Sequence, residues 1–277
     1  MFIFELIKSI VLGIVEGITE WLPVSSTGHL ILVEEFLNLN VSEEFKEMFN
    51  VVIQLGAILA VIILFWKKIW PFQTKTNGST IKKDSIMLWL KIIVACVPAV
   101  ILVLLGLDEK CEQLFYKPIP IALALIIVGI VFIIVEYLRK GKADKSDSLN
   151  DITFLQAALI GIFQLVAAVF PGTSRSGATI IGGLSLGVSR VTAAEFTFVL
   201  SIPVMAGASL LKLLDFGFDF TAPELVILLA GFLTAFIISL IAIKFLMNFV
   251  KRHDFKIFAY YRIALGIAVL LYFYIIK

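Results

Sequence analysis

Residues 13–35 read GIVEGITEWLPVSSTGHLILVEE, and this stretch decides how the chain meets a membrane. It is apolar enough to enter a bilayer. Pro23, however, has no backbone N–H, and its ring clashes with the preceding turn, so one continuous helix does not run through it. Beyond Pro23, the ten residues Val24–Val33 are mostly apolar or small before Glu34 and Glu35. At 1.5 Å per residue such an arm reaches about 15 Å, half of a ~30 Å hydrocarbon layer. The stretch therefore reads as a re-entrant hairpin, a helix in and a short helix back. Residues 153–189 behave likewise. They break at Pro171–Gly172, and their second arm, Gly177–Ser189, is short and glycine-rich. Irregular backbone at that depth is tolerated only inside protein or beside a water-filled cavity. The alternative, two kinked spans, spoils the alternation of loop charge along the chain.

Composition sets the solvent. Of 277 residues, 60% are hydrophobic and 16% charged, and mean hydropathy is +1.04. Soluble domains run at about 45–50% apolar and about 25% charged, so a soluble globule, a disordered tail and a nucleic-acid binder are all excluded. The net charge of +2 is too small to imply a polyanionic partner. Cys96 and Cys111 have neither metal spacing nor a disulfide framework. Met1–Val15 lacks the basic n-region of a secretory signal and is interrupted by Glu5 and Lys8, so it is expected to be retained.

Six segments are long and apolar enough to cross: about Met48–Trp66, Ile86–Leu105, Ile119–Leu138, Phe196–Leu211, Leu225–Leu246 and Ile263–Ile276. Segments 67–83, 139–145 and 251–262 are rich in Lys and Arg, the last through Lys251, Arg252, Lys256 and Arg262. Segments 34–47, 108–112 and 215–224 lean acidic. The positive-inside bias puts the basic segments in the cytoplasm, and the alternation works with six crossings.

A shift of 148 residues gives a faint self-match: Gly13-Ile14 with Gly161-Ile162, Pro23 with Pro171, Ser26 with Ser174, and Glu47 with Glu195. Each half then holds one hairpin and three spans. Three is odd, so the second copy enters from the opposite side. The expected fold is an all-α polytopic membrane protein: six transmembrane helices plus two re-entrant helical hairpins in an inverted-topology repeat. It forms one integral membrane domain over 1–277, with halves at about 1–138 and 151–277.

The chemistry concentrates in the hairpins. Glu16 and Glu20 are four apart and share a helix face. Two carboxylates at membrane depth repel unless a divalent cation or an arginine resolves the conflict, or unless both sit solvated at the hairpin mouth. Carboxylates together with substrate phosphates are a usual way to hold Mg²⁺ or Ca²⁺, which makes Glu16 and Glu20 the candidate metal ligands. Ser25, Ser26 and Thr27 crowd a helix start. There hydroxyls cap free N–H groups, and the same N–H groups attract anions. His29 suits proton transfer or attack on phosphorus, although a lone histidine is often structural. His253, in a basic loop, is read as solvated. In the second hairpin, Ser174, Arg175, Ser176 and Thr179 surround a charge that needs an anionic partner, either phosphate oxygens or Glu16 or Glu20. Arg190 and Glu195 read as hairpin-end groups. Brought tip to tip, the set suits a phosphate or pyrophosphate ester.

The run Glu16-Gly-Ile-Thr-Glu20-Trp-Leu-Pro-Val-Ser-Ser-Thr-Gly-His29, together with Pro171-Gly-Thr-Ser-Arg-Ser-Gly-Ala-Thr179, resembles the bacterial undecaprenyl-diphosphatase family, the bacitracin-resistance membrane phosphatases. The resemblance implies hydrolysis of undecaprenyl diphosphate to undecaprenyl phosphate and inorganic phosphate, recycling the lipid carrier for cell-wall synthesis. It implies dependence on Mg²⁺ or Ca²⁺ and a bacterial plasma (inner) membrane location, with the site open to the outer face. It places the essential residues at Glu16, Glu20, Ser26, Thr27, His29, Ser174 and Arg175; Ser25, Ser176 and Thr179 are phosphate-binding candidates from their own place in the two hairpins. The expected partners are a polyprenyl diphosphate lipid and the bilayer, with no nucleic acid; homo-oligomerisation is left open. Ser26, His29 or water can each serve as nucleophile, and Ser26 assisted by Glu20 and His29 is favoured. A lipid-phosphate or small-anion transporter fits broken helices equally well, but transport does not need the Glu-pair/Ser/His group.

Overall fold

The structure, a computed structural model, describes residues 2–75, 78–217 and 219–275. Its helices are α1 (Phe2–Thr19), α2 (Ser26–Phe36), α3 (Glu43–Ile69), α4 (Lys83–Leu104), α5 (Leu107–Phe115), α6 (Pro118–Arg139), α7 (Phe154–Val169), α8 (Arg175–Ser185), α9 (Arg190–Phe216), α10 (Ala222–Val250) and α11 (Lys256–Ile275). Six of them, α3, α4, α6, α9, α10 and α11, are long and apolar enough to cross a membrane. Their outward faces keep Ile63, Val100, Ile127, Leu233 and Ile241 exposed, as expected where lipid is the solvent. The expected spans are all present. Their ends run on by several residues, and Ile276 lies outside the described residues.

Three local features depart from the sequence reading. The Lys-rich segment 67–83 contains a two-stranded antiparallel hairpin, β1 (Phe72–Lys75) with β2 (Gly78–Ile81). The segment around 108–112 is a short helix, α5. The last span starts at Lys256, about two turns before Ile263, so Arg262 belongs to a helix and not to a basic loop.

Both expected breaks are observed. α1 gives way to α2 across residues 20–25, and α7 to α8 across 170–174. The caps at the two breaks are alike. Ser25 (φ 75°) accepts from the Gly28 N–H at 3.2 Å, and Ser174 (φ 70°) accepts from the Gly177 N–H at 3.1 Å. They are the non-glycine residues with positive φ among those described. A serine held there is strained, and its hydroxyl cap offsets part of the cost. The caps align Ser25 with Ser174, one residue off the register that paired Ser26 with Ser174, because Ser174 lies three residues after Pro171 whereas Ser25 lies two after Pro23.

The two ends of each hairpin lie together. The Asn40 N–H donates to Glu5 Oε2 at 2.8 Å and Lys8 Nζ donates to Asn38 O at 2.7 Å, tying the start of α1 to the chain after α2. The Lys145 N–H donates to Gly187 O at 2.8 Å and the Ser189 N–H to Ser146 O at 2.9 Å, tying the chain before α7 to the end of α8. The first hairpin shares its end with the acidic start of α3, where Lys212 of α9 also pairs with Glu47 at 3.1 Å. The second shares its end with the basic segments. There Lys68 Nζ pairs with Glu195 Oε1 at 2.6 Å, and Arg190 Nε donates to the buried Glu136, which also accepts from the Phe255 N–H at 2.9 Å. Asp151, on the loop before α7, accepts from the Ser148 hydroxyl, which holds its carboxyl below the ordinary carboxylate range. Trp66, Trp70 and Trp89 gather at this same end, with Trp66 and Trp70 stacked at 4.4 Å. Aromatic side chains of this kind mark a membrane interface.

Exchanging the halves reproduces part of the packing, although α3 packs closely on α10 whereas its counterpart α9 meets α4 far less. α1 against α10 becomes α7 against α4, while α3 with α9 and α6 with α11 map onto themselves. Glycines make the close approaches. Gly13 faces the Gly231 carbonyl, Gly161 faces the Ala95 backbone, and Gly129 and Gly266 seat α6 and α11 on each other. In lipid, such small-residue contacts let backbones meet and carry much of the association. Gly161→Val, which drives a side chain into the Ala95 backbone, is expected to lower the thermal midpoint in detergent by several degrees and to cost about 1–3 kcal/mol. An unchanged midpoint would show that α4 and α7 do not meet there.

Candidate functional site where the two tips meet

The first tip follows directly from α1. The Glu20 N–H still donates to Glu16 O at 3.0 Å, so both glutamates lie on one helical turn. Glu20 is then the centre of a network across the two hairpins. Its Oε1 accepts from Arg175 Nη2 at 2.9 Å, and its Oε2 accepts from Ser26 Oγ at 2.9 Å. Arg175 Nη1 also donates to Thr197 O at 3.2 Å, which anchors the guanidinium to α9. The ion pair is nearly enclosed, with side-chain exposures of 13% for Arg175 and 10% for Glu20. Two helix N-termini, those of α2 and α8, open beside it with their uncommitted N–H groups.

The remaining hydroxyls hold the tips in place. Ser174 Oγ lies 3.0 Å from Ser176 Oγ, and Ser176 Oγ donates to Glu20 O at 3.2 Å. Thr179 Oγ1 donates to Arg175 O at 2.9 Å and lies 2.8 Å from Thr197 Oγ1. Ser25 is buried and committed to its cap. Thr27 is half-buried in the first turn of α2.

His29 stands apart from this network. Its Nδ1 donates to Ser25 O at 2.7 Å and its Nε2 accepts from the Tyr261 hydroxyl at 2.7 Å, an assignment that follows because a carbonyl can only accept. The two rings stack at 5.5 Å. Both nitrogens are thus engaged, next to Glu20's tip but not bonded to it. His253, as expected, is exposed, with its ring stacked on Phe249 at 4.6 Å. Arg190 and Glu195, as expected, serve the hairpin end.

Sequence reasoning missed Arg262. It is fully buried, and it donates from Nη1 to Pro23 O at 3.1 Å and from Nη2 to Gly172 O and Thr173 O at 2.9 and 2.8 Å. One guanidinium therefore clasps carbonyls of both tips. The signal was present in YYRIALG, residues 260–266, where an arginine sits within an apolar run that continues helical periodicity. It was obscured by the neighbouring Lys and Arg of the loop.

Glu16 differs from every other site residue. Its side chain is fully buried, and neither carboxylate oxygen has a hydrogen-bond partner among the described residues. No cluster of three or more His, Cys, Asp or Glu gathers among those residues either. The protein thus offers two carboxylates, one bridged and one unpartnered. Beside the first tip, Ile14, Ile18, Leu22, Phe245, Phe249 and Tyr261 line an apolar crevice of about 490 Å³ that His29 borders. A second crevice, of about 720 Å³, lies at the basic end among Lys67, Lys82, Lys83 and Asp147.

A family model for bacitracin resistance protein BacA matches residues 9–268. An undecaprenyl-diphosphatase of Desulfitobacterium hafniense is 61% identical over 99% of this chain and 98% of its own length. Undecaprenyl-diphosphatase 1 of Clostridium acetobutylicum is 58% identical over 98% of each chain. An undecaprenyl-diphosphatase of Enterococcus faecalis is 56% identical over 96% of each.

Proposed function

The chain belongs to the bacitracin resistance protein BacA family, and on that premise we propose that the meeting point of its tips is where undecaprenyl diphosphate is hydrolysed. The products are undecaprenyl phosphate and inorganic phosphate, and the lipid carrier returns to envelope synthesis. The observation that carries the site assignment is the bonded series Ser26–Glu20–Arg175, a hydroxyl, a carboxylate and a guanidinium joined across two broken helices.

That series is a nucleophile, a base and a group that orients the base. Ser26 Oγ attacks the terminal phosphorus while Glu20 takes the hydroxyl proton. The bond from that phosphorus to the bridging oxygen breaks, and undecaprenyl phosphate leaves. Water then cleaves the phosphoserine, releasing inorganic phosphate and restoring the hydroxyl. Arg175 has five N–H donors, and those not committed to Glu20 and Thr197 face the charge that grows on the phosphoryl oxygens. The N-termini of α2 and α8 add uncommitted N–H groups of the same polarity. His29 assists by holding Ser25 and Tyr261 beside the nucleophile.

Glu16 and Glu20 are the residues that would hold a divalent cation, Mg²⁺ or Ca²⁺, with diphosphate oxygens completing its shell. The unpartnered, buried Glu16 carboxylate supports that fit. When bound, the ion supplies neutralisation of the diphosphate charge.

The gathered basic segments are read as the cytoplasmic end of a plasma-membrane protein. The first hairpin then enters from the outer face and the second from the cytoplasmic face, as inverted copies, and the site opens outward. The apolar crevice beside His29 takes the first isoprene units of the lipid.

Purified protein in detergent is expected to release phosphate from polyprenyl diphosphate in a cation-dependent manner. A quenched single turnover, read by mass spectrometry, is expected to show phosphoserine at position 26 and none in Ser26→Ala. Phosphohistidine at position 29 would overturn the choice of nucleophile, and no release at all would overturn the site.

A further inference from the structure

The 148-residue shift pairs Gly13 with Gly161 and also Glu16 with Gln164. The packing keeps that pairing. Gly13 seats α1 on the α10 backbone, and Gly161 seats α7 on the α4 backbone. Three residues beyond each glycine, on the same buried stripe, stands a polar side chain: Glu16 at 0% exposure and Gln164 at 2%. Neither has a hydrogen-bond partner among the described residues, and for Gln164 this holds for both the amide oxygen and the amide nitrogen. Buried polar groups are almost always satisfied, so an unpartnered amide calls for a ligand.

Charge, by contrast, breaks the symmetry. Glu20 falls opposite Ala168 at the same shift, and at the register of the caps Ser26 falls opposite Arg175. The first hairpin therefore contributes two carboxylates, and the second an amide and a guanidinium. The two broken helices thus differ in polarity, the first carrying groups that favour cations and the second groups that favour anions.

We propose that Gln164 is a substrate-binding residue on the second-hairpin side, donating its amide N–H to a diphosphate oxygen. Its lack of charge is the point. A carboxylate there, as at Glu16, would repel the anion and compete for the cation. This inference rests on the phosphatase reading above, with Gln164 deciding where the diphosphate lies once a cation is held by Glu16.

The test uses the full-length protein in detergent. Gln164→Met keeps the volume without a donor, and Gln164→Glu keeps the shape and adds charge. KM for polyprenyl diphosphate is expected to rise roughly ten-fold in the first, the scale of one hydrogen bond to a charged group, and further in the second. kcat should change far less. Calorimetric affinity for methylenediphosphonate, a non-hydrolysable diphosphate, should fall in parallel. KM and diphosphonate affinity within two-fold of the parent in both variants would overturn the proposal. If Gln164→Met fails to fold, the same two measurements on Gln164→Glu decide the question alone. If the parent releases no phosphate, the phosphatase reading falls, while diphosphonate binding still decides the role of Gln164 separately.

Discussion

Arg175→Ala is expected to lower kcat/KM for polyprenyl diphosphate by about 10³-fold. The reasoning adds two losses. In the proposed mechanism the guanidinium faces the developing phosphoryl charge, and it also holds the Glu20 carboxylate that would take the Ser26 proton. Removing it leaves Glu20 nearly enclosed without its counter-ion, a situation that costs about 3–5 kcal/mol in buried pairs. Arg175→Lys is expected to recover little. A single ammonium does not reach both Glu20 and Thr197 O with donors left for phosphate. Phosphate release measured beside a thermal-unfolding scan separates loss of chemistry from loss of fold. Near-parental activity in the alanine variant would remove Arg175 from the mechanism.

The second large effect falls on a residue that touches no reacting atom. Arg262→Met keeps most of the volume but strips the donors from Pro23 O, Gly172 O and Thr173 O. Each buried carbonyl left unmet costs about 1–3 kcal/mol, so the three together are enough to unfold or part the tips. The expected result is a fall of roughly ten degrees in thermal midpoint, with activity lost in the same variant. Arg262→Lys should restore part of the stability and little activity, since one ammonium does not clasp both breaks at once. A stable, active methionine variant would show that the clasp is dispensable.

The fold was legible where physics is local. Pro23 and Pro171 announced both breaks, and the six spans followed from length and apolarity. The β1–β2 hairpin and α5 were not legible, because neither carries a periodic signal strong enough to stand out in a polar connection. The site was legible as a set of residues and only partly as an arrangement. Glu20, Ser26 and Arg175 meet as their chemistry requires. His29 turns to Tyr261, a partner 232 positions away that spacing along the chain does not indicate. Arg262 was lost among the basic loop residues, since charge counting treats every arginine near a span end alike. The one-residue offset between the shift and the caps has the same origin, since self-matching scores side chains while the caps report backbone turns.

Glu20 and Arg175 join the two broken helices, and the proposed chemistry takes place at that junction. A double-mutant cycle with Glu20→Gln and Arg175→Met tests it most directly, read both as unfolding free energy and as kcat/KM. Strong non-additivity is expected, with a coupling of at least ~2 kcal/mol in stability and a double variant scarcely less active than either single one. Losses that simply add, within about 0.5 kcal/mol, would show that the two side chains act independently and that the tips do not meet.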